Sequence, residues 1–236
     1  MQMTPRAILN HGTGHKPFRV LIVDDHPLVR EGLAKLIQET PDLELSGEAG
    51  DVKEALQAIT GEKPDVLLLD LSLPGRNGIE LIKDLHLRYP DLPVLVLSMH
   101  EESFYAERVL SAGASGYIMK QEPAAHVIEA LRTVLQGAVY LSPAIGARLL
   151  KTIFSGHRNP QPRTSMERLS NRELQVFECI GQGLTTQEIA AQLHLSVKTI
   201  ETYRAHVKLK LGFNNHTELT HQAIRWVEAE TGRGPA

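Results

Sequence analysis

The sequence has few of the features that mark secreted or membrane-spanning proteins. Its 236 residues include one cysteine, Cys179, so no disulfide can form within the chain, as is usual in a reducing cytoplasm. No apolar run approaches the ~18 residues that a membrane-spanning helix requires. The stretch from Asn10 to Gly14 is polar where a signal peptide would have an apolar segment. We therefore predict a cytoplasmic protein with no membrane partner and a disordered leader over residues 1–17.

The sequence also lacks a strong excess of charge of either sign. The formal net charge is −3, which does not by itself indicate a protein that binds nucleic acid. Internal repeats and low-complexity tracts are absent as well. Since 236 residues are enough for two ordinary domains, a specific function must be sought in local motifs.

Short apolar runs alternate with helical patterns from residue 18 to residue 136. The apolar runs predict five strands, over residues 19–23, 43–49, 66–70, 93–98 and 116–120. Amphipathic spacing predicts a helix after each strand, near residues 27–37, 55–59, 79–85, 104–112 and 123–136. The alternation predicts an α/β fold with helices on both faces of a parallel sheet. The common arrangement for five strands is flavodoxin-like, (βα)5 with the order 2-1-3-4-5.

Acidic residues follow two strands that this order makes neighbours. Asp24 and Asp25 come directly after the first strand, and Asp70 ends the third. The carboxyl ends of these strands border the ligand crevice, so the three carboxylates should converge there. Converging carboxylates repel one another, and a hard divalent cation removes that repulsion. We therefore predict a Mg2+ site formed by these three residues, with the backbone carbonyl of Ser72 completing the ligand set.

Asp70 also stands where a carboxylate can act as a nucleophile. Beside a metal ion, a carboxylate can attack a phosphoryl group and become an acyl phosphate. The transferring oxygens then need positive charge and hydrogen bonds, which Lys120 and the Ser98 hydroxyl supply from the ends of the fifth and fourth strands. We predict that Asp70, Ser98 and Lys120 carry the chemistry of the site.

Each of these residues taken alone has an ordinary structural explanation. Asp24 and Asp25 precede Pro27 and could cap a helix, Ser98 could be a turn residue, and Lys120 could be a solvated strand end. Their joint occurrence at the carboxyl ends of four predicted strands is what favours a functional site.

The motifs that contain these residues resemble those of a two-component response-regulator receiver domain. They are Asp24-Asp25, Asp70 followed by Leu-Ser-Leu-Pro-Gly, Leu97-Ser98-Met-His100 and Gly116-Tyr-Ile-Met-Lys120. The resemblance covers about residues 18–136 and departs from the commonest pattern at Gln121, where a proline often follows the lysine.

This resemblance implies that a histidine kinase phosphorylates Asp70 and that Asp24 and Asp25 hold magnesium. It also implies a switch pair, Ser98 and Tyr117. Phosphate at Asp70 would draw the Ser98 hydroxyl in, and Tyr117 would turn inward to fill the vacated space. The fourth helix and the fifth strand would form the surface that changes. Without the surrounding motif, Tyr117 would be an ordinary half-buried aromatic residue of a strand.

Residues 139–166 differ in composition from the segments on either side. Proline, glycine and serine interrupt this stretch, and its basic residues are Arg148, Lys151, Arg158 and Arg163. A short helix over residues 144–154 is possible, followed by an open linker. We therefore predict a receiver domain at 18–138, a linker at 139–166 and a second domain at 167–230.

The second predicted domain has a purely helical pattern. Ser170 with Glu173 and Thr185 with Glu188 fit the capping box of a helix start, and Ser196 is a good N-cap for a third helix that ends near residue 211. Two helices joined by a short turn, the second long and polar on one side, are typical of a helix-turn-helix.

Three motifs of this domain resemble the LuxR-type helix-turn-helix of NarL/FixJ response regulators. They are Leu169-Ser-Asn-Arg-Glu173, Gly183-Leu-Thr-Thr-Gln-Glu-Ile-Ala190 and Val197-Lys-Thr-Ile-Glu-Thr-Tyr-Arg204. The resemblance implies that the helix over residues 197–211 enters the major groove of DNA. Its exposed candidates for DNA contact are Lys198, Thr199, Glu201, Thr202, Arg204 and Lys208.

Side-chain chemistry suggests different roles for these candidates. Arg204 suits guanine or phosphate, Thr202 a thymine methyl group, and Glu201 a cytosine amine. Lys198 and Thr199, at the helix start, suit phosphate. An alternative of equal weight for Glu201 is an ion pair with Arg204 or Lys198 on the helix face.

Together, the two resemblances predict a phosphorylation-dependent transcription regulator that is not an enzyme. Phosphorylation would favour a homodimer that binds two half-sites of promoter DNA. One alternative is a phosphorylation-independent DNA-binding protein, or a regulator that acts through protein partners. The other is an Asp-nucleophile phosphotransferase of the haloacid dehalogenase type, but that class needs a second aspartate where Ser72 stands.

Overall fold

The computed structural model describes residues 16–73, 78–154 and 165–230. Most of the predicted leader and the predicted linker residues Arg158 and Arg163 lie outside the described residues. Among the helices of the described ranges, none is long and apolar enough to cross a membrane.

Five short apolar runs form the strands of one parallel sheet. They are β1 (Phe18–Val23), β2 (Leu43–Ala49), β3 (Val66–Leu69), β4 (Val94–Ser98) and β5 (Gly116–Met119). The order across the sheet is β2-β1-β3-β4-β5, which confirms the predicted flavodoxin-like arrangement. All four residues of β3 are buried because helices cover both faces of this central strand.

Five helices alternate with the strands and cover both faces of the sheet. They are α1 (Pro27–Gln38), α2 (Val52–Glu62), α3 (Gly78–Arg88), α4 (Glu102–Ser111) and α5 (Ala124–Leu135). One apolar core contains residues of α1 and α5, and the other contains residues of α2, α3 and α4. Leu28, which helical spacing predicts on the apolar side of α1, is 82% exposed, because only the later turns of that helix pack on the sheet.

Helix α3 begins at a glycine because its first residue has no room for a side chain. A Cβ atom at Gly78 would lie 2.7 Å from the main chain of Leu71, which follows Asp70. This close approach places the start of α3 directly against the segment that leaves β3.

The predicted helix in the linker is present as α6 (Pro143–Phe154). The chain before it runs beside β5, where Tyr117 donates its main-chain N–H to the Tyr140 carbonyl at 2.9 Å. The Ser142 N–H donates to Glu102 at 2.8 Å, and Arg148 donates to the Ser103 carbonyl at 2.5 Å. The linker is therefore bound to the first turn of α4.

The C-terminal part is helical, as predicted. After a short 3-10 helix (Ser165–Arg168) come α7 (Asn171–Gly181), α8 (Thr186–Gln192), α9 (Val197–Leu211) and α10 (His216–Glu230). Both predicted capping boxes form, and Ser196 caps α9. The buried core of this part contains Leu174, Phe177, Ile189, Ile200, Val207 and Leu219. Helices α8 and α9, with a tight turn between them, form the predicted helix-turn-helix.

Candidate functional site

The three predicted acidic residues meet at the carboxyl edge of the sheet. Strands β1 and β3 are paired in register up to their last residues, so Asp24 and Asp70 follow side by side. Carboxylate oxygens of Asp24, Asp25 and Asp70 and a ring nitrogen of His26 all lie within 4.8 Å of one another. Asp24 and Asp70 are each only 2% exposed. The strand order thus brings three anions into one pocket, which we call the acidic pocket.

Lys120 reaches the acidic pocket from the end of β5. Its Nζ lies 2.8 Å from Asp70 Oδ2 and 2.6 Å from Asp24 Oδ2. Burial lowers the pKa of Lys120, but the two carboxylates outweigh burial and the pKa is raised. Burial also raises the pKa of Asp70, against the opposing effect of Lys120 and with a further contribution from Asp24. One ammonium group therefore does not fully compensate the buried anions.

Two carboxylate oxygens of the pocket fit a divalent cation. Asp24 Oδ2 and Asp25 Oδ1 are buried and accept no hydrogen bond of normal geometry within the described ranges, although Lys120 Nζ and His26 Nδ1 each lie 2.6 Å away. Lys120 brings one positive charge to three carboxylates, which leaves negative charge that a divalent cation can balance. Mg2+ prefers a few carboxylate oxygens together with water, so these residues fit magnesium.

The two predicted switch residues both hold the main chain of His100. Ser98, at the end of β4, and Tyr117, in β5, are fully buried. Ser98 Oγ accepts the His100 N–H at 3.2 Å, and the Tyr117 hydroxyl donates to the His100 carbonyl at 2.6 Å. Tyr117 therefore has the inward orientation in this structure.

Ser72 lies between Asp70 and His100. Its N–H donates to Asp70 Oδ1 at 3.1 Å, and its Oγ lies 3.2 Å from His100 Nε2. The side chain of Ser72 thus connects the segment after Asp70 to the segment after β4. The metal-ligand role of its carbonyl stays a prediction.

His26 is a pocket residue that the sequence motifs did not identify. Its Nδ1 lies 2.6 Å from Asp25 Oδ1, and its N–H donates to Asp24 Oδ1 at 2.8 Å. The side chain is 62% exposed, at the mouth of the pocket. Its position directly after the two aspartates is the signal that could have identified it.

The pocket is connected to the helical part of the chain through one carboxylate, that of Glu178 in α7. His100 Nδ1 lies 3.1 Å from Glu178 Oε2, and the Tyr105 hydroxyl donates to the same oxygen at 2.8 Å. The rings of His100 and Tyr105 stack with their centroids 4.6 Å apart. Burial lowers the pKa of His100, but the Glu178 carboxylate outweighs burial and the pKa is raised. Glu178 is only 6% exposed, so its interaction with His100 takes place away from solvent.

Helix α4 supplies further contacts to the helical part. Arg108 donates hydrogen bonds to two main-chain carbonyls and one side chain around the start of α7. Phe104 meets Trp226 of α10 edge-on, with ring centroids 5.0 Å apart. The sequence motifs identified none of these contacts. The only local signal is Glu178, a charged residue within the otherwise apolar stretch 176–180.

Helix α9 carries the predicted DNA-contact residues on a largely accessible side. Lys198, Glu201 and Thr202 are exposed, and Thr199, Arg204 and Lys208 are half-buried. Burial lowers the pKa of Arg204. Within the described part of the chain, no ion pair joins Glu201 to Lys198 or Arg204, so the intrahelical alternative for Glu201 is not seen in this structure.

Some polar groups of α9 also stabilise the helix itself. The Thr199 N–H donates to Ser196 Oγ at 3.1 Å, and Thr202 Oγ1 donates to the Lys198 carbonyl at 3.0 Å. At the other end, Lys210 Nζ lies 2.5 Å from Glu173 Oε2. This ion pair joins α9 to the start of α7 and orients the helix.

Comparison with known protein families identifies both parts of the chain. Residues 20–132 match the family model described as the response regulator receiver domain. Residues 167–223 match the model described as bacterial regulatory proteins of the luxR family.

Curated relatives resemble the chain over nearly its whole length. The transcriptional regulatory protein DegU of Brevibacillus brevis is 31% identical over 93% of this chain and 99% of its own length. The oxygen regulatory protein NreC of Staphylococcus aureus (strain MRSA252) is 35% identical over 88% of this chain and 97% of its own. Among solved structures, the chain resembles RcsB of Salmonella enterica serovar Typhimurium bound to promoter rprA in the presence of phosphomimetic BeF3−. The two are 29% identical in sequence with a TM-score of 0.62, and the match covers 89% of this chain and 99% of that chain.

Proposed function

The chain belongs to the DNA-binding two-component response regulators that join a receiver domain to a LuxR-type helix-turn-helix, and on this basis we propose that Asp70 accepts a phosphoryl group from a histidine kinase. The observation that carries the proposal is the position of Asp70. Its buried carboxylate lies 2.8 Å from Lys120 Nζ and beside Asp24 and Asp25. An attacking carboxylate that lies close both to a cation and to further carboxylate oxygens able to bind a metal ion is what phosphoryl transfer requires.

The proposed reaction transfers phosphorus from nitrogen to oxygen. A carboxylate oxygen of Asp70 attacks the phosphoryl group, the P–N bond to the kinase histidine breaks, and an acyl phosphate forms. Asp24, Asp25, Asp70 and the carbonyl of Ser72 would hold Mg2+, which when bound supplies positive charge to the phosphoryl oxygens. Lys120, which contacts both Asp70 and Asp24, supplies a second positive charge.

The two switch residues respond to the new phosphoryl group in this proposal. The Ser98 hydroxyl turns to a phosphoryl oxygen, and Tyr117, which is already buried with its hydroxyl on the His100 carbonyl, keeps that inward position. The main-chain contacts of both residues with His100 support this role, because a rotation of either side chain changes how the segment before α4 is held.

Helix α9 is the proposed recognition helix for promoter DNA. Lys198 and Thr199 at its start contact phosphate, and Glu201, Thr202 and Arg204 reach base edges. Lys208 contacts phosphate farther along the groove. The exposure of Lys198, Glu201 and Thr202 supports this assignment because exposed side chains are accessible to DNA.

The remaining parts of the proposal concern organisation and partners. We place the receiver at 18–138, the linker at 139–166 and the DNA-binding domain at 167–230. The partners are a sensor histidine kinase, promoter DNA and, when Asp70 is phosphorylated, a second copy of the chain. A structure of RcsB described as two dimers bound to two parallel DNAs supports the dimer by analogy. The protein acts in the cytoplasm, where promoter DNA is found, and is not an enzyme.

Phosphorylation of the full chain by acetyl phosphate and Mg2+ tests the central step. A phosphate-affinity gel should show a retarded band for wild type and for Asp91→Asn, an exposed aspartate before the start of β4 and so at the opposite end of that strand from Ser98, and no such band for Asp70→Asn. The same samples on a promoter fragment should show tighter binding only where the retarded band forms. A retarded band in Asp70→Asn would place the phosphate elsewhere, and equal DNA binding with and without phosphodonor would favour a phosphorylation-independent regulator.

A further inference from the structure

The imidazole of His26 borders the acidic pocket, whose other candidate ligand atoms are carboxylate oxygens. We propose that His26 makes this pocket a site for a transition-metal cation of the Ni2+ or Zn2+ class, bound through one imidazole nitrogen and the carboxylates more tightly than Mg2+ is bound. The inference rests on the metal-binding part of the proposed function. It extends that part from a hard cation to a second chemical class of cation that competes for the same oxygens.

The ligand atoms lie where one ion can contact all of them. His26 Nδ1 is 2.6 Å from Asp25 Oδ1 and 3.3 Å from Asp24 Oδ1, and these groups and a carboxylate oxygen of Asp70 all lie within 4.8 Å of one another. An octahedral ion with bonds of ~2.1 Å has ligand atoms ~3.0 Å apart when adjacent and ~4.2 Å apart when opposite. Shifts of about half an ångström would therefore place the four groups around one ion.

The contact between His26 and Asp25 itself needs a positive charge. An unprotonated imidazole nitrogen and a carboxylate oxygen are both acceptors, so at 2.6 Å they repel each other unless a proton or a metal ion serves both. Asp24 and Asp70 are each 2% exposed and share the single ammonium of Lys120, and Asp24 Oδ2 accepts no hydrogen bond of normal geometry within the described ranges. A divalent ion can balance all of these groups together.

The main chain holds the imidazole at the pocket. Pro27 restricts the residue before it to extended conformations, and His26 has φ −90° and ψ 109°. The His26 N–H donates to Asp24 Oδ1 at 2.8 Å, and Arg30 donates to the Asp24 carbonyl at 2.5 Å. Although His26 is the N-cap residue of α1, its side chain makes no capping hydrogen bond. The ring is therefore available to a metal ion, and a loop that is already ordered loses little entropy when it binds one.

A nitrogen ligand changes which ions the pocket prefers. Mg2+ prefers oxygen ligands, whereas imidazole suits Zn2+, Cu2+ and Ni2+. For a given set of nitrogen and oxygen ligands, affinity rises along the first-row series from Mn2+ to Ni2+. The carboxylates of Asp24, Asp25 and Asp70 are common to both classes of ion, so His26 is the residue that determines selectivity between them.

Calorimetric titration of untagged, full-length protein with Ni2+ tests this selectivity. Titrations at several fixed Mg2+ concentrations isolate the Ni2+ site that Mg2+ displaces, and a direct Mg2+ titration gives the second affinity. We expect wild type to bind Ni2+ at this site at least about a hundredfold more tightly than Mg2+. His26→Ala should lower the ratio of the two affinities by about tenfold or more, because it removes the nitrogen ligand.

Two further variants show whether the nitrogen of His26 is responsible. His126→Ala is the matched control, because His126 is also exposed and its Nδ1 lies 2.8 Å from a carboxylate oxygen, that of Glu122. Its ratio of affinities should equal that of wild type. His26→Asp replaces the nitrogen by an oxygen ligand and adds negative charge, so its ratio should fall as in His26→Ala. A wild-type ratio in His26→Asp would overturn the inference, because it would show that nitrogen is not needed.

The remaining outcomes are also decisive. Equal losses of Ni2+ and Mg2+ affinity in His26→Ala would show that His26 shapes the loop without selecting the ion, and would overturn the inference. Ni2+ that Mg2+ does not displace from wild type would place the ion at another histidine, with the same consequence.

The phosphate-affinity gel distinguishes failure of this inference from failure of the proposed function. Wild-type protein that binds both ions but is not phosphorylated on Asp70 refutes the phosphoryl-acceptor role and leaves the metal site intact. Phosphorylated wild type, together with an unchanged ratio of affinities in His26→Ala, refutes the nitrogen ligand and leaves the acceptor role intact.

Discussion

The acidic pocket and the outer side of α9 use charged residues in opposite ways. In the pocket, Lys120 is shared between Asp24 and Asp70, all three almost excluded from solvent. On α9, Lys198 and Glu201 are exposed and have no ion pair with each other within the described ranges. Removing one member of a buried set leaves the others uncompensated, whereas exposed residues act nearly independently. Single changes should therefore impair the function of the pocket far more than that of the helix.

Lys120→Ala should have the largest effect, because it removes the positive charge that faces Asp70. We expect phosphorylation by acetyl phosphate to slow by about a hundred- to a thousandfold, the usual result of losing a group that stabilises developing charge. The time course of the phosphate-affinity gel measures this rate. Lys53→Ala, on the exposed side of α2, is the control, and a Lys120→Ala rate equal to the control rate would show that the buried ion pairs have no role in transfer.

Arg204→Ala should have an intermediate effect on DNA binding. A side chain that contacts a base edge contributes about 1–3 kcal/mol to discrimination, and we expect a loss of that size on the preferred promoter sequence, measured by fluorescence anisotropy. Arg225→Ala, an exposed arginine of α10, should bind DNA as wild type does. Loss of affinity that is the same for every DNA sequence would reassign Arg204 from base to phosphate contact.

Lys198→Ala tests whether the side chains of α9 act independently. Removal of a phosphate contact should weaken binding to all sequences and reduce the slope of log affinity against log salt by about 1. In the double variant Lys198→Ala with Arg204→Ala, the two losses of DNA-binding free energy should add. This contrasts with the non-additive behaviour expected in the pocket. A salt titration in which affinity does not fall would refute the phosphate contact.

The smallest effect concerns Glu173, the buried acid that joins α7 to α9. Burial raises its pKa, but hydrogen bonds from Lys210 and Ser170 outweigh burial and the pKa is lowered. A carboxyl whose folded pKa lies below its unfolded value of about 4.3 stabilises the fold above that pH, and the contribution is lost as pH falls through the folded pKa. As the pH is lowered, the stability of the Glu173→Gln protein, followed by Trp226 fluorescence, should therefore fall less steeply than that of wild type. An unchanged slope would mean that the Lys210 ion pair does not stabilise the folded state.

The fold and the acidic pocket were predictable because strand order determines which residues meet. Asp24, Asp25 and Asp70 stand at the ends of apolar runs, and a parallel sheet of the predicted order places those ends together. Capping residues such as Ser170 and Thr185 were predictable for a similar reason, since they act within one helical turn. These features depend on local pattern and on one topological rule.

The interface between the two parts was not predictable from the same patterns. The interaction of His100 with Glu178 joins residues of different folding units, and no helical or strand period relates them. The exposed Leu28 is a similar case, because helical spacing shows which residues share a side but not where the helix leaves the sheet. Both depend on how preformed elements pack against each other.

The environment of the single thiol makes the protein convenient to label. Cys179 lies in α7 with its side chain buried, and burial raises the pKa of the thiol to about 12. A protonated, shielded thiol reacts poorly with electrophiles, so maleimide dyes at neutral pH should bypass it and attach only to cysteines introduced on the surface. Dye pairs on the sheet and on α9 would then measure distances in single molecules with the native cysteine retained.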